Sequence, residues 1–135
     1  MSVRSRFGSL VVVCGLLGTL GCGNTNRAQS TQTVTGLVTF KGQALPDGEI
    51  VFVGEDGKAS DPAKVHDGRY ETVLTPGNKR VRIRAARVKE GGARDAMGAA
   101  VAEDYLPAAY NTETTLRAEV VSGGPNVFNF TLEEK

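Results

Sequence analysis

From Thr33 onward apolar side chains recur at alternate positions, and glycine, proline, asparagine or aspartate interrupts them so often that no long helix fits. A chain patterned this way folds as short strands joined by turns. Seven segments carry the alternation: Val34 to Phe40, Glu49 to Val53, Ala63 to His66, Arg69 to Leu74, Lys79 to Ala85, Thr114 to Val121 and Val127 to Leu132. At this spacing they predict an all-β domain, a seven-stranded antiparallel sandwich with two sheets packed face to face. Asp67-Gly68 is a two-residue hairpin turn that tolerates positive φ, and Gly36 marks a close backbone approach or a bulge in the first strand. Thr75-Pro76-Gly77-Asn78 is expected to close a second hairpin, with Tyr70 opposite Ile83 and Glu71 opposite Arg82. In that register Val81, Ile83 and Ala85 face the core, and Arg80, Arg82 and Arg84 face water. A slip of one residue would bury three arginines.

The first 32 residues have a different character. Met1 to Phe7 holds Arg4 and Arg6 and no acid, and Leu10 to Gly21 is uncharged and too short to span a bilayer. That is the layout of a secretion signal. Gly18-Thr19-Leu20-Gly21-Cys22 resembles the lipobox of bacterial lipoproteins, with Thr19 where leucine is usual. The resemblance implies a signal peptide over 1–21, a diacylglycerol thioether on Cys22 and acylation of its new amino group. Two or three acyl chains hold a protein on a membrane where one does not. Gly23 follows the cysteine where inner-membrane retention signals often have aspartate, so the resemblance leans toward an outer membrane, facing periplasm or cell surface. Residues 23–32 contain one alanine as their only apolar side chain and read as a tether, giving 22–32 as lipidated cysteine plus linker and 33–135 as the folded domain.

Of 16 basic side chains, Arg4 and Arg6 leave with the signal, so 14 face 15 acids and the mature charge is −1. Such a balance gives nucleic acid no bulk attraction. Cys14 also leaves and Cys22 is acylated, so no disulfide is expected and stability must come from a packed core.

Two stretches carry a further resemblance: Val34-Thr-Gly-Leu-Val-Thr with Gly42-Gln-Ala-Leu-Pro-Asp-Gly-Glu-Ile-Val-Phe52, and Asp67-Gly-Arg-Tyr-Glu-Thr with Pro76-Gly-Asn-Lys-Arg-Val-Arg-Ile83. They resemble the carboxypeptidase regulatory-like domain, a Greek-key β-sandwich of the transthyretin (prealbumin) type. Leu106-Pro-Ala-Ala-Tyr-Asn111, Thr114-Thr-Leu116 and Asn126-Val-Phe-Asn-Phe130 resemble small lipoproteins built almost wholly from this domain. In metallocarboxypeptidases the resembling domain is an accessory without catalytic residues, and none carries over.

No catalytic site, metal site or cofactor is expected from the residues themselves. His66 is the only histidine, and a zinc site needs several converging ligands. Ser60, His66 and Asp67 are the residue types of a hydrolytic triad, but neighbours on a strand and turn point to different sides. Glu55, Asp56 and Asp61 lack the spacing of a calcium loop. The candidates for partner binding are Arg80, Arg82 and Arg84, able to meet anionic headgroups, cell-wall polymers or an acidic protein face, with Tyr105 and Tyr110 as stacking or pinning residues. Arg87 to Asp104 is too long for a silent connection and is expected to be mobile or functional. The expectation is a non-catalytic, lipid-anchored envelope module that binds or holds position; the alternative is an accessory of an envelope hydrolase or a carbohydrate-binding module. Its partners would be the membrane and an envelope protein or cell-wall polymer.

Overall fold

The computed structural model describes residues 29–134, so the signal-like segment and Cys22 lie outside the described residues. The described chain is all-β, with eleven strands and one turn of 3-10 helix at Ala108–Tyr110. In chain order they are β1 (Gln32–Phe40), β2 (Gln43–Ala44), β3 (Asp47–Gly54), β4 (Ala63–His66), β5 (Arg69–Leu74) and β6 (Gly77–Arg84). The rest are β7 (Ala86–Val88), β8 (Ala102–Asp104), β9 (Arg117–Val120), β10 (Asn126–Val127) and β11 (Phe130–Leu132). Each segment that carries period-two alternation holds a strand, and Val127 to Leu132 is split between β10 and β11.

Nine strands form one sheet along the path β10-β1-β5-β4-β3-β6-β9, with β2 and β11 also on β1. The sheet curls at the Asp67-Gly68 turn, where His66 and Arg69 are the sole register pair between β4 and β5. Asp67 and Gly68 take φ of 48° and 74°, as the two-residue turn requires. The curl lets β1, β5 and β11 face β3, β6 and β9 across a single core. Leu45, Ile50, Phe52, Ile83 and Leu132 are its largest fully enclosed side chains. Each contributes about 1.5–3 kcal/mol by leaving water.

The expected hairpin between β5 and β6 does not form. One edge of β5 is taken by β1 over six register pairs and the other by β4, so Thr75 and Pro76 carry the chain across the core to β6. There β6 pairs with β3 and β9. Glu71 therefore lies opposite Thr35, and Arg82 lies opposite Val51. Facing survives the change of partner: Tyr70, Leu74, Val81, Ile83 and Ala85 are buried, while Arg80, Arg82 and Arg84 are exposed. A second departure from the antiparallel expectation is that β10 and β11 run parallel to β1.

Gly36 is where the two ends of the domain meet. A Cβ built there would lie 1.8 Å from the carbonyl oxygen of Phe128 and 2.9 Å from the Tyr70 ring. Around this contact the Phe128 N–H donates to Thr35 O at 2.9 Å, the Tyr70 hydroxyl donates to Phe128 O at 2.8 Å, and Leu37 N–H donates to Asn129 Oδ1 at 2.9 Å. Burial pushes the Tyr70 phenol well above its ordinary pKa, so it stays a donor. These bonds bridge the break between β10 and β11.

Arg87 to Asp104 is an ordered arm. β7 and β8 pair as a separate two-stranded ribbon, prolonged by the Arg94↔Ala100 bridge. Asp95 Oδ1 accepts the N–H groups of Met97 and Ala99, both at 2.9 Å, which shapes the tip. Met97 stands there 92% exposed.

Gly36→Ala should destabilise the domain by about 1–3 kcal/mol, because the backbone must move to admit the methyl group. Urea unfolding monitored by circular dichroism checks this; an unchanged midpoint would mean that the contact between β1 and Phe128 is dispensable.

Candidate functional site

Alternation on β6 sends even-numbered side chains outward and its neighbours decide their company. Arg80 lies opposite Val53 on one side and Arg117 on the other, Arg82 opposite Val51, and Arg84 opposite Glu49, which in turn lies opposite Lys64. Glu71, expected opposite Arg82, belongs to the other half of the sheet. Arg117 joins the basic row instead. Its outward position was readable from the Leu116, Ala118, Val120 alternation, but its pairing with Arg80 across 37 positions was not.

Arg84 is tied to the arm. Its Nη2 lies 2.7 Å from Asp104 Oδ2 and its Nε lies 3.3 Å from the same oxygen, and this hydrogen-bonded carboxylate raises the guanidinium pKa further. Among the described residues, Arg80, Arg82 and Arg117 have no carboxylate within 4.0 Å. The free charge therefore sits on the middle of the sheet face, and the paired charge sits at the root of the arm.

Tyr105 also stands at that root. Its N–H donates to Ala85 O at 3.0 Å, its ring centroid is 6.0 Å from that of Phe40, and the Arg87 guanidinium lies 5.0 Å over its face. A cation so placed gains about 0.5–1 kcal/mol at an exposed site. Tyr110 is elsewhere and buried; its hydroxyl accepts the Glu133 N–H at 2.8 Å. It pins the segment after the arm against the C-terminal tail. Of the five candidates, then, Arg84 and Tyr105 both stand at the arm root but in different grooves, Arg80 and Arg82 extend along the open face, and Tyr110 serves the core.

Two grooves flank the root and share Asp47 and Ala86. One, of about 470 Å³, is lined by Glu49, Lys64, His66, Arg84 and Asp104; the other, of about 440 Å³, by Phe40, Lys41, Pro46, Arg87 and Tyr105. Sequence reasoning missed these grooves because their walls come from five separate segments.

His66 opens onto the first groove. Its Nδ1 lies 2.9 Å from Asp47 Oδ1 and its Nε2 3.6 Å from Asp67 Oδ2, and the hydrogen bond to Asp47, then the charge of Asp67, raises its pKa above 6.5. Ser60 is turned to other work: its hydroxyl accepts the Phe52 N–H at 3.1 Å and donates to Asp61 O at 3.0 Å. Asp56 Oδ1 accepts the Lys58 N–H at 3.1 Å. Among the described residues no three His, Cys, Asp or Glu side chains converge as a metal cluster, and no helix is long and apolar enough to cross a membrane.

Compared with family models, curated proteins and solved structures, the chain matches none.

An NMR pH titration should place the His66 midpoint above 6.5, and Asp47→Asn should bring it down. The sign follows from the raised pKa: the stabilisation is fully present below the unfolded value of 6.5 and is lost as pH rises through the folded midpoint. A midpoint unmoved by Asp47→Asn would assign the shift to Asp67 instead.

Proposed function

We propose that this chain is a bacterial lipoprotein, held on the envelope by acylated Cys22, whose non-catalytic β-domain works by contact through its basic face. The observation that carries this proposal is the row Arg80, Arg82 and Arg117, outward-facing and without a carboxylate within ion-pair distance among the described residues. Three like charges held side by side on rigid strands repel one another, and an anionic partner relieves that repulsion. The fitting partners are an acidic envelope protein or a cell-wall polymer.

The finer fold assignment proposed with it is a seven-stranded Greek-key sandwich of the transthyretin-like kind. Support comes from the neighbour order β6-β3-β4-β5, in which three successive strands are followed by a fourth that returns beside the first. Further support comes from the split of β1, β5 and β11 against β3, β4, β6 and β9. The tether suits an anchored module. β1 begins at Gln32 beside Leu74 and ends at Phe40 beside Tyr105, so the chain enters at the end of the domain opposite the arm. Nine residues of strand at about 3.3 Å each separate the two ends by roughly 30 Å. An anchor on the entry side would leave the arm and its grooves pointing away from the membrane.

Metabolic labelling with a palmitate analogue should mark the wild-type protein, and Cys22→Ser should abolish both the label and sedimentation with membranes. An unlabelled wild type that fractionates like the variant would remove the anchor. In-cell crosslinking adds a separate check: replacing Arg80, Arg82 and Arg117 together by Ser should lose the neighbours that wild type captures, and an identical set of neighbours would remove the basic face as the contact.

A further inference from the structure

We infer that the outer edge of β7 is a docking site for an extended acidic peptide, which joins the domain as an added strand; this rests on, and specifies, the contact role proposed for the basic face. The backbone leads to it first. β7 continues β6 with only Ala85 between them, yet the ladder of β6 with β3 ends at Glu49↔Arg84, and β7 forms a ladder with β8 alone. Beyond that point Gly48 and Asp47 of β3 pair with β4 alone; Pro46, which precedes β3, has no N–H, and Leu45 turns to β1, where its N–H donates to Val38 O at 3.0 Å.

The direction of the free groups follows from alternation along a strand. Tyr105 N–H donates to Ala85 O, and Val81 N–H donates to Leu116 O, so odd-numbered residues of this continuous strand turn their backbone groups toward β8 and β9. Ala86 and Val88 then turn theirs to the opposite edge, along which β3 no longer pairs, with Asp47 standing across the two grooves from Ala86. Val88 is 59% exposed, so the edge lies open to solvent.

The grooves supply side-chain seats on both faces of that edge. An added strand pairs through its main chain and is selected through pockets for alternate side chains. A peptide residue opposite Arg87 would point toward Phe40, Pro46 and Tyr105, an apolar patch rimmed by Lys41, Asp47, Arg87 and Glu134. Residues opposite Ala86 and Val88 would point to the outer face, toward the groove that holds Lys64 and Arg84. That groove holds three carboxylates: Asp47 and Asp104 are matched to His66 and Arg84, and Glu49 lies between Lys64 and Arg84 in the ladder. Arg82, the next outward residue along the strand, has no such match. Carboxylates at alternate positions of the incoming peptide are therefore the complementary charge.

The test is an amide NMR titration of the full ¹⁵N-labelled chain in neutral detergent, with the blocked peptide Glu-Leu-Glu-Leu-Glu as probe and Lys-Leu-Lys-Leu-Lys as control. The acidic peptide should shift Ala86 and Val88 and slow exchange of the Val88 N–H at least tenfold, and the basic one should do neither. Val88→Pro removes an outward N–H, a position where an edge strand accepts proline. It should weaken binding roughly tenfold, the size of one net hydrogen bond. Should that variant disturb the arm, Arg82→Glu tests the charge seat without touching the edge and should weaken the acidic peptide by a similar factor. Shifts confined to Arg80, Arg82 and Arg117, with Val88 unmoved, would overturn the added strand and leave the basic face standing. Equal responses to both peptides, or none to either, would overturn the proposal outright, whereas the anchor is decided separately by labelling at Cys22.

Discussion

Val81, Ile83 and Ala85 must leave water while Arg80, Arg82 and Arg84 stay in it, and only one orientation of β6 satisfies both demands. Burying even one unpaired guanidinium would cost more than the apolar face gains. With β6 so oriented, β3 and β9 are set on its two edges, the inner face of the curl is defined, and the continuation into β7 aims the arm. The basic row is thus a product of the same constraint that builds the core. It needs no separate device to hold it rigid.

The second dependence is on polar groups that take over where ladders stop. Between β10 and β11 the chain leaves its parallel register, and the Phe128 backbone and the Asn129 side chain keep it joined to β1. At the other end of β10, buried Asn126 accepts the Val121 N–H at 2.8 Å and donates to Val121 O at 2.9 Å and Gly124 O at 3.2 Å. Thr114 donates to Val81 O, completing a β6 carbonyl that β9 does not reach. Among the described residues no buried side-chain polar atom lacks a partner. For a domain with no disulfide in its described residues, such satisfaction matters, since each orphaned group would cost about 1–3 kcal/mol.

What could be read from the sequence was local. Strand positions and facing follow from period two, and the Asp67-Gly68 turn from two adjacent residues that tolerate positive φ. Strand partners are a different matter. Thr75-Pro76-Gly77-Asn78 does carry real turn chemistry, with Gly77 at φ 122°, but a turn sets only where the chain bends, and competition for the edges of β5 and β6 sets where it goes. The arm was illegible for a related reason. Its alanines and glycines have little strand preference, and its order comes from Asp95 and from the Arg84–Asp104 pair, which joins residues 20 apart. The site suffered most, because Arg80 and Arg117, or Phe40 and Tyr105, become neighbours only through the fold.

Charge placement separates the two ends of the arginine row by function. At the arm root Asp104 holds Arg84 by a hydrogen-bonded ion pair that is partly exposed, so it contributes little to stability but fixes the direction in which the ribbon leaves the sheet. Farther along β6, Arg80 and Arg82 have no such task, and a structural explanation that rests on discouraging edge-to-edge association does not reach them, since β6 is an interior strand with β3 and β9 on its flanks. Solubility alone would be served as well by mixed signs. Under the proposed contact role, that row is the part of the surface that an opposite charge would meet, and the arm at its end would add an edge and two grooves.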